Sequence, residues 1–232
     1  DLLIDTALKS SQFISVNLYT EFEGRCYYAY IPGEKAFVHN ASLWGAAWCI
    51  FAGSKLGNQI LMDQALSAVK QSIAEQNPDG SWVYGSRSHH RFVDGFHTGY
   101  NLESLQLIKE VLGTSEFDES IRRGYQYYLS ELVSEDGVAK YYNNNPFPLD
   151  VHSFAQAILT LLKIEGNTGL ACKVLDKAIE LLYNDKSGCF YYQKHKYYCN
   201  KVNYIRWTQA WAYYSIAYFN RVVSENNIDE KD

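Results

Sequence analysis

The stretch Asp79-Gly80-Ser81-Trp82-Val83-Tyr84 places a glycine turn directly before aromatic residues, and this arrangement recurs along the chain. The related turns are Glu23-Gly24-Arg25-Cys26-Tyr27-Tyr28, Asp136-Gly137 running to Tyr141-Tyr142, and Ser187-Gly188-Cys189-Phe190-Tyr191-Tyr192. Successive copies are roughly 55 residues apart, and a fixed period of this kind is typical of helical-repeat proteins. Because each repeat buries its apolar face against its neighbours, the pattern predicts one array of helical hairpins around a shared centre.

Apolar residues recur three and four positions apart over most of the chain, which predicts α-helices and leaves no long period-two alternation for a sheet. Nearly continuous apolar segments predict buried inner helices, and amphipathic segments predict outer helices with one solvent-facing side. After a first helix at 2–18, the predicted inner helices are 41–52, 98–112, 152–164 and 207–223, and the predicted outer helices are 59–75, 117–133 and 170–183. We therefore predict an all-α fold, an α/α toroid (incomplete α/α barrel) of about four hairpins. It forms one domain, 1–232, whose charged tail at 224–232 is expected to fray.

The composition excludes several classes of protein. With 47% hydrophobic residues and a net charge of −5, the chain is predicted to be globular and to bind no nucleic acid, since it has no basic stripe. No apolar run approaches the roughly 20 residues that a membrane span needs. Five cysteines without a CxxC pair favour a reducing compartment, so we expect a cytoplasmic protein. Because the chain begins at Asp1 without an initiator Met, a removed N-terminal segment and a periplasmic location stay open. The oligomeric state is not predicted.

Aromatic residues make up 16% of the chain, with 20 Tyr and 5 Trp, and many of the tyrosines lie in the turn regions. Tyr and Trp combine a flat apolar face with a polar group, which suits a wet cleft that holds sugar rings. The alternative is that these rings only cover the ends of the hairpins. Composition does not separate the two interpretations.

Polar side chains stand at the start of each predicted inner helix, in the same register. These starts are His39-Asn40, Asp94-Gly95-Phe96-His97, Asp150-Val151-His152 and Arg206-Trp207-Thr208-Gln209. Taken singly, each aspartate could be a helix cap and each histidine a hydrogen-bonded hinge. Helix N-termini also attract carboxylates and anionic ligands, and the recurrence predicts that these groups face one solvent-filled hollow.

Further polar residues lie near these starts. Gln156 and Gln209 occupy matching positions one turn further in, where they either bind hydroxyl groups or link the inner helices. Arg206 is the natural partner of a substrate carboxylate, because its guanidinium matches one bidentately. The glycine turn that opens with Gln76 should let Trp82 seal adjacent hairpins.

Metal binding is a separate question. The histidines and aspartates of the helix starts include enough ligands for zinc, but they come from separate helices and form no short ligand motif. We predict no metal and no cofactor.

Four blocks of this chain resemble a group of bacterial proteins encoded in surface-polysaccharide biosynthesis clusters. The blocks are 37–41, 79–82 with 93–100, 149–153 and 205–211. More broadly, the chain resembles the six-hairpin α/α-toroid superfamily, which includes glycoside hydrolases, polysaccharide lyases and sugar epimerases. The resemblance implies an oligosaccharide or polysaccharide substrate, neutral or acidic, in a central cleft. It does not imply one reaction, because function depends on the site and not on the fold.

Two chemistries of a glycan enzyme stay open. A hydrolase needs an acid and a base across the scissile bond, whereas a uronate lyase or epimerase needs a base near C5 and a cation for the carboxylate. The predicted catalytic residues are Asp94, His97, Asp150 and His152; the predicted substrate-binding residues are His39, Asn40, Trp82, Tyr100, Gln156, Tyr204, Arg206, Trp207 and Gln209.

Two other functions compete with a glycan enzyme. The first is a glycan-binding or scaffolding module without turnover. The second is an isoprenoid cyclase, since Gln76-Asn77-Pro78-Asp79-Gly80-Ser81-Trp82 resembles structural segments of terpene cyclases. The cyclase is less favoured, because the chain lacks an Asp-rich acid motif and the helix starts are polar.

Overall fold

The computed structural model describes residues 2–229, and helices dominate it. Within this range the chain forms eight α-helices: α1 (Leu2–Phe13), α2 (His39–Leu56), α3 (Gln59–Ala74), α4 (Gly95–Leu112), α5 (Asp118–Tyr127), α6 (Val151–Ile164), α7 (Thr168–Leu182) and α8 (Ala210–Asp229). Three of them continue into or begin with a π-helical turn, at Ile14–Leu18, Tyr128–Leu132 and Ile205–Gln209, and a short 3₁₀ turn lies at Ser88–His90. The prediction of an all-α fold is confirmed, and the predicted helices match these elements to within a few residues.

Short β-ribbons occupy the hairpin ends. They are β1 (Tyr19–Phe22), β2 (Arg25–Tyr28), β3 (Leu149–Asp150), β4 (Tyr183–Asn184), β5 (Cys189–Phe190), β6 (Gln193–Lys194) and β7 (Cys199–Asn200). All pairings are antiparallel: β1 with β2, β4 with β5, and β3-β6-β7 as a three-stranded sheet. The register that matters for the site sets Asp150 opposite Gln193.

The chain forms two compact units, and the first consists of the residues up to Val93 together with Tyr100–Gln126. In this unit α2 packs on α3, and the core includes Leu43, Ile50 and Val69. The apolar sequence of α2 predicts that the helix is buried on all sides, and this prediction is wrong for one face. The exposed rings on that face are Trp44, Trp48 and Phe51, and two of them line an apolar groove of about 240 Å³ together with residues of α1.

The second unit consists of Asp94–Gly99 and the chain from Tyr127 onward. Here α6 packs against both α7 and α8, and Val151 through Leu162 are buried, as predicted for an inner helix. Helix α8 includes residues 224–229 of the segment for which fraying was predicted, and 230–232 lie outside the described residues. One domain over 1–232 stays a prediction.

The four marker glycines share one backbone conformation. Gly24, Gly80, Gly137 and Gly188 have φ between 65° and 93°, in the left-handed region that favours glycine. At Gly80, a Cβ atom would lie 2.3 Å from the carbonyl oxygen of Arg123 in α5. At Gly137 the corresponding distance to the carbonyl oxygen of Lys173 in α7 is 2.4 Å. The turn therefore lies against the next outer helix in both repeats.

Gln76 and Trp82 link elements within the first unit. The Gln76 amide donates to the carbonyl oxygens of Gly80 at 2.8 Å and Ser120 at 3.0 Å. The buried Trp82 ring donates from Nε1 to the carbonyl oxygen of Ser72 at 2.9 Å. These bonds satisfy backbone groups that the turn would otherwise leave unpaired in the interior.

Two further observations concern the described residues 2–229. None of their helices has the length and apolar character to cross a bilayer. The five cysteines, all of which lie in this range, form no disulfide.

The glycine turn generates a test of the repeat. We expect Gly80→Ala to lower the free energy of unfolding by more than about 2 kcal/mol, because Ala is strained at this φ and its methyl group meets a fixed carbonyl. Gly113→Ala is the matched control: its φ is also positive, at +62°, but the added Cβ meets nothing within 4 Å. This control should cost about 1 kcal/mol in urea unfolding. Equal losses would contradict the close approach at Gly80.

Candidate active site

Asp94 precedes α4 and performs two tasks with its two carboxylate oxygens. Oδ1 accepts the backbone N–H of His97 at 2.8 Å, which caps the helix, and Oδ2 lies 2.6 Å from His97 Nδ1. A His97 ring that donates from Nδ1 to this carboxylate has the lone pair on Nε2. The cap fixes the rotamer of the carboxylate, and the carboxylate fixes the ring.

Asp150 has an equivalent arrangement at the start of α6. Its Oδ1 accepts the backbone N–H of His152 at 2.7 Å, and its Oδ2 accepts Nε2 of Gln193 at 2.6 Å. Gln193 reaches this carboxylate because β6 pairs with β3 and sets the two residues opposite each other. Both predicted carboxylates are thus helix caps, and both keep the second oxygen for a side-chain partner.

Aromatic rings surround the imidazole of His152. Its centroid lies 4.9 Å from the ring of Phe96 and 4.5 Å from that of Trp211, both in stacked geometry. Trp207 follows at 5.6 Å, and Phe96 also contacts the ring of His97 at 4.3 Å. The first turn of α4 and the starts of α6 and α8 therefore meet in one cluster.

Tyrosines from the glycine turns complete this cluster. Tyr141 contacts Phe96 edge to face at 5.4 Å, and its backbone carbonyl accepts the N–H of Gly95 at 2.9 Å. Burial, Asp150, Tyr142 and Asp94 together raise the pKa of the Tyr141 phenol, so it stays protonated. Burial, Asp150 and Tyr204 likewise raise the pKa of Tyr192. The phenol of Tyr141 thus lies within the fields of both carboxylates.

Burial shifts the pKa values of Asp150 and His152 in opposite directions. It raises the pKa of Asp150 to about 6, although the hydrogen bonds from Gln193, His152 and Ser153 pull it down. It lowers the pKa of His152 to about 3, and the nearby His97 contributes in the same direction. Desolvation disfavours whichever form is charged, so near neutral pH His152 is uncharged and Asp150 is within reach of both of its states.

The other predicted residues of the second unit divide into two groups. Trp207 and Tyr204 are exposed, and Tyr204 contacts Tyr192 at 5.0 Å, while Arg206 is exposed with no ion pair or hydrogen bond to the described residues. Gln156 is buried and donates to Oγ1 of Thr160 at 3.1 Å. Gln209 exchanges two hydrogen bonds with the backbone of Phe190, at 2.7 and 3.1 Å. The contacts of the two glutamines are therefore links within the scaffold.

Four predicted substrate-binding residues belong to the first unit: His39, Asn40, Trp82 and Tyr100. His39 is 2% exposed, its ring contacts Phe37 at 4.5 Å, and burial lowers its pKa to about 4. Trp82 is buried and donates from Nε1 to the carbonyl oxygen of Ser72, so it belongs to the core. Their convergence with the cluster of the second unit stays a prediction.

Sequence reasoning missed several members of the cluster. Gln193 is 43 residues from the carboxylate it contacts, and no periodic signal marks it. Phe96 and Trp211 lie inside the blocks on which the resemblance rests, and Tyr141 lies in one of the repeated glycine turns. The sequence therefore contained evidence that could have placed these three residues at the site. Over the described range 2–229, no three His, Cys, Asp or Glu side chains are arranged to hold a metal ion.

The fold is similar to that of several carbohydrate-acting enzymes of known structure. Unsaturated glucuronyl hydrolase from Bacillus sp. GL1, responsible for the degradation of glycosaminoglycan, matches 94% of this chain and 67% of its own, with a TM-score of 0.71 and 14% identity. A sugar epimerase from a ruminal bacterium matches 99% and 67%, with a TM-score of 0.73 and 13% identity. The GH76 α-mannanase of Bacteroides thetaiotaomicron matches 81% and 63%, with a TM-score of 0.62 and 14% identity.

These likenesses establish the fold as an α/α toroid and confirm the predicted resemblance to six-hairpin glycosidase-like proteins. The chain spans about two thirds of the length of these proteins. No protein-family model and no curated protein matches the sequence.

The hydrogen bond from Gln193 gives a prediction about Asp150. Gln193→Leu removes a donor to the carboxylate, so the ionised form loses a partner and the pKa of Asp150 should rise by about one unit. Carbon-13 NMR of labelled aspartate carboxyl groups measures this titration. Gln106→Leu, which removes an exposed amide that donates to Glu110, is the control and should leave the pKa of Asp150 unchanged. An unchanged or lower pKa in Gln193→Leu would contradict the contact.

Proposed function

We propose that this protein is a glycoside hydrolase that acts on an oligosaccharide or polysaccharide, with Asp150 as general acid and Asp94 with His97 as general base. The observation that carries the proposal is the contrast between the two carboxyl groups. Both are buried and both cap a helix with Oδ1, but Oδ2 of Asp150 accepts an amide N–H of Gln193, whereas Oδ2 of Asp94 lies 2.6 Å from the imidazole Nδ1 of His97. Pairs of carboxyl groups in unlike environments are the usual basis of acid and base assignments in glycosidases.

Asp150 suits proton donation to a leaving-group oxygen. A carboxyl group with a pKa of about 6 is largely protonated in mildly acidic solution, is about one tenth protonated at pH 7, and is still a strong enough acid to release its proton. The side-chain amide of Gln193 and the backbone N–H of His152 each donate to one of its oxygens. The carboxyl group is therefore held in one rotamer before proton transfer. The chain thereby supplies a positioned acid.

The Asp94–His97 pair suits activation of water. The carboxylate fixes the tautomer of the imidazole and stabilises the positive charge that develops when Nε2 takes a proton. In the balanced reaction, water loses a proton to this pair, its oxygen bonds to the anomeric carbon, and the glycosidic oxygen leaves with the proton of Asp150. The phenol of Tyr141, in the fields of both carboxylates, is a donor for a sugar hydroxyl.

The aromatic rings support a sugar as the substrate. Trp207 is 57% exposed beside the His152 cluster, and Trp and Tyr faces bind the apolar side of a sugar ring. Arg206, the adjacent residue, offers a guanidinium for a carboxylate on an acidic sugar. The similar folds of a glucuronyl hydrolase, a mannanase and an epimerase are consistent with this substrate class, and the resemblance to surface-polysaccharide proteins suggests processing in such a pathway. The odd number of cysteines supports a cytoplasmic setting.

Elimination or C5-epimerisation of a uronate is the second candidate, and the exposed Arg206 beside Trp207 favours it. Its base would be His97, because a pKa of about 3 makes His152 a weak base. The reactions leave different products: hydrolysis adds a reducing end, elimination creates a C4–C5 double bond, and epimerisation in D₂O places deuterium at C5.

Substitution of the carboxylates tests the assignment. We expect Asp150→Asn and Asp94→Asn each to lower kcat about 1000-fold on any glycan the protein cleaves, with KM little changed. Release of reducing ends is the measurement. Asp176→Asn, an exposed aspartate of α7, is the control and should keep full activity. Activity that survives in both site variants would refute the assignment, and binding without turnover of any glycan would favour the module.

The pKa of Asp150 predicts a pH profile. A general acid works only when protonated, so log kcat/KM should fall with a slope of −1 above about pH 6. Gln193→Leu should move this limb to higher pH by the same interval as it moves the NMR titration. If Gln193→Leu shifts the carboxyl titration but the pH at which log kcat/KM begins to fall is unchanged, Asp150 is not the general acid.

A further inference from the structure

Helix α8 and the π-helical turn before it carry aromatic residues on one face, beginning at the candidate active site. Trp207, Trp211, Tyr214 and Tyr218 are spaced four, three and four residues apart, which places them on one side of a helix. The rings of Trp211 and Tyr214 lie 6.2 Å apart, and those of Tyr214 and Tyr218 lie 6.4 Å apart. We call these four residues the aromatic stripe; the eleven helical rises from Trp207 to Tyr218 make it about 16 Å long.

Two cations lie at the end of the aromatic stripe that is away from His152. Lys163 Nζ, from α6, is 5.3 Å from the ring centroid of Tyr214 and 5.2 Å from that of Tyr218. It also donates to the Tyr214 hydroxyl oxygen at 3.1 Å. The guanidinium of Arg221 is 4.7 Å from the Tyr218 ring, and its contact with Glu225 is long, at 3.9 Å. Cation–π contacts hold both positive charges beside the tyrosines.

We propose that the aromatic stripe extends the candidate active site into a binding site for an acidic oligosaccharide, with Lys163 and Arg221 receiving a sugar carboxylate or sulfate remote from the reacting bond. The proposal rests on the proposed function and specifies its substrate class. Trp211 joins the two regions, because its ring stacks on His152 at 4.5 Å and contacts Tyr214. A bound chain would thus cross the rings and end at the cations.

The chemistry of the surface favours a glycan over a protein partner. Tyr214 is 44% exposed and Trp207 is 57% exposed, so their rings are accessible to solvent. Protein interfaces are enriched in aromatic residues and Arg but depleted in Lys, whereas here Lys163 stands between two rings. A positive charge between flat apolar rings matches a ligand that has an apolar ring face and an acidic substituent on the same unit.

Calorimetric titration of the whole chain with defined tetrasaccharides tests the site. The acidic probes are tetragalacturonate and a hyaluronan tetrasaccharide, and the neutral probe is cellotetraose. We expect an acidic probe to bind, and Lys163→Gln and Tyr218→Ala each to raise its Kd on the order of tenfold. The neutral probe should be affected less by Lys163→Gln. Tyr213→Ala is the matched control, because Tyr213 lies on the same helix, is 77% exposed and is outside the stripe.

The outcomes separate this proposal from the proposed function. If Lys163→Gln and Tyr218→Ala both leave the affinity unchanged while turnover depends on Asp150, the binding site is refuted and the proposed hydrolase is not. Binding that weakens in the stripe variants, with no turnover of either acidic probe, would support the site and count against the hydrolase. If neither acidic probe binds, or if the variants change only the oligomeric state in analytical ultracentrifugation, the stripe is not a glycan site.

Discussion

The double use of two aspartates at helix starts is the constraint on which the candidate site depends. Each carboxylate gives Oδ1 to a backbone N–H of its own helix and keeps Oδ2 for a side chain, His97 in one case and Gln193 in the other. The cap stabilises the start of the helix, and it restricts the side chain to one rotamer. The second oxygen is thereby aimed without further cost in conformational entropy.

Desolvation then gives these positioned groups their different states. The rings of Phe96, Trp211 and Trp207 exclude water from His152, so its imidazole stays neutral. Burial likewise raises the pKa of Asp150. One physical cause therefore produces an uncharged histidine and a carboxyl group that titrates near neutral pH. On a solvated surface, the pKa values of both groups would lie near their ordinary values.

The sequence predicts what is periodic or local and misses what depends on tertiary pairing. The glycine turns, the helix bounds and the polar starts at Asp94 and Asp150 follow from spacing and backbone conformation. Gln193 does not, because its contact exists only through the pairing of β3 with β6. The two bonds of Gln209 to the backbone of Phe190, a residue of β5, likewise join separate elements. Exposure of Trp48 on α2 was missed for a related reason, since an apolar sequence does not tell which neighbours are present.

Helix capping alone does not explain why aspartate stands at these two starts. The equivalent start of α2 follows Val38, and that of the last inner helix follows Tyr204; neither residue makes a side-chain cap bond. These two helices begin at the same register without a carboxylate, so the fold does not require one there. A cap adds about 1 kcal/mol, which burial of an inner helix can replace. A carboxylate buried at this register carries a desolvation cost that a serine or an asparagine cap would avoid. Among the four starts, the carboxylate stands at those of the second and third repeats, each with a histidine in the first turn of its helix, and this placement supports the proposed roles of Asp94 and Asp150.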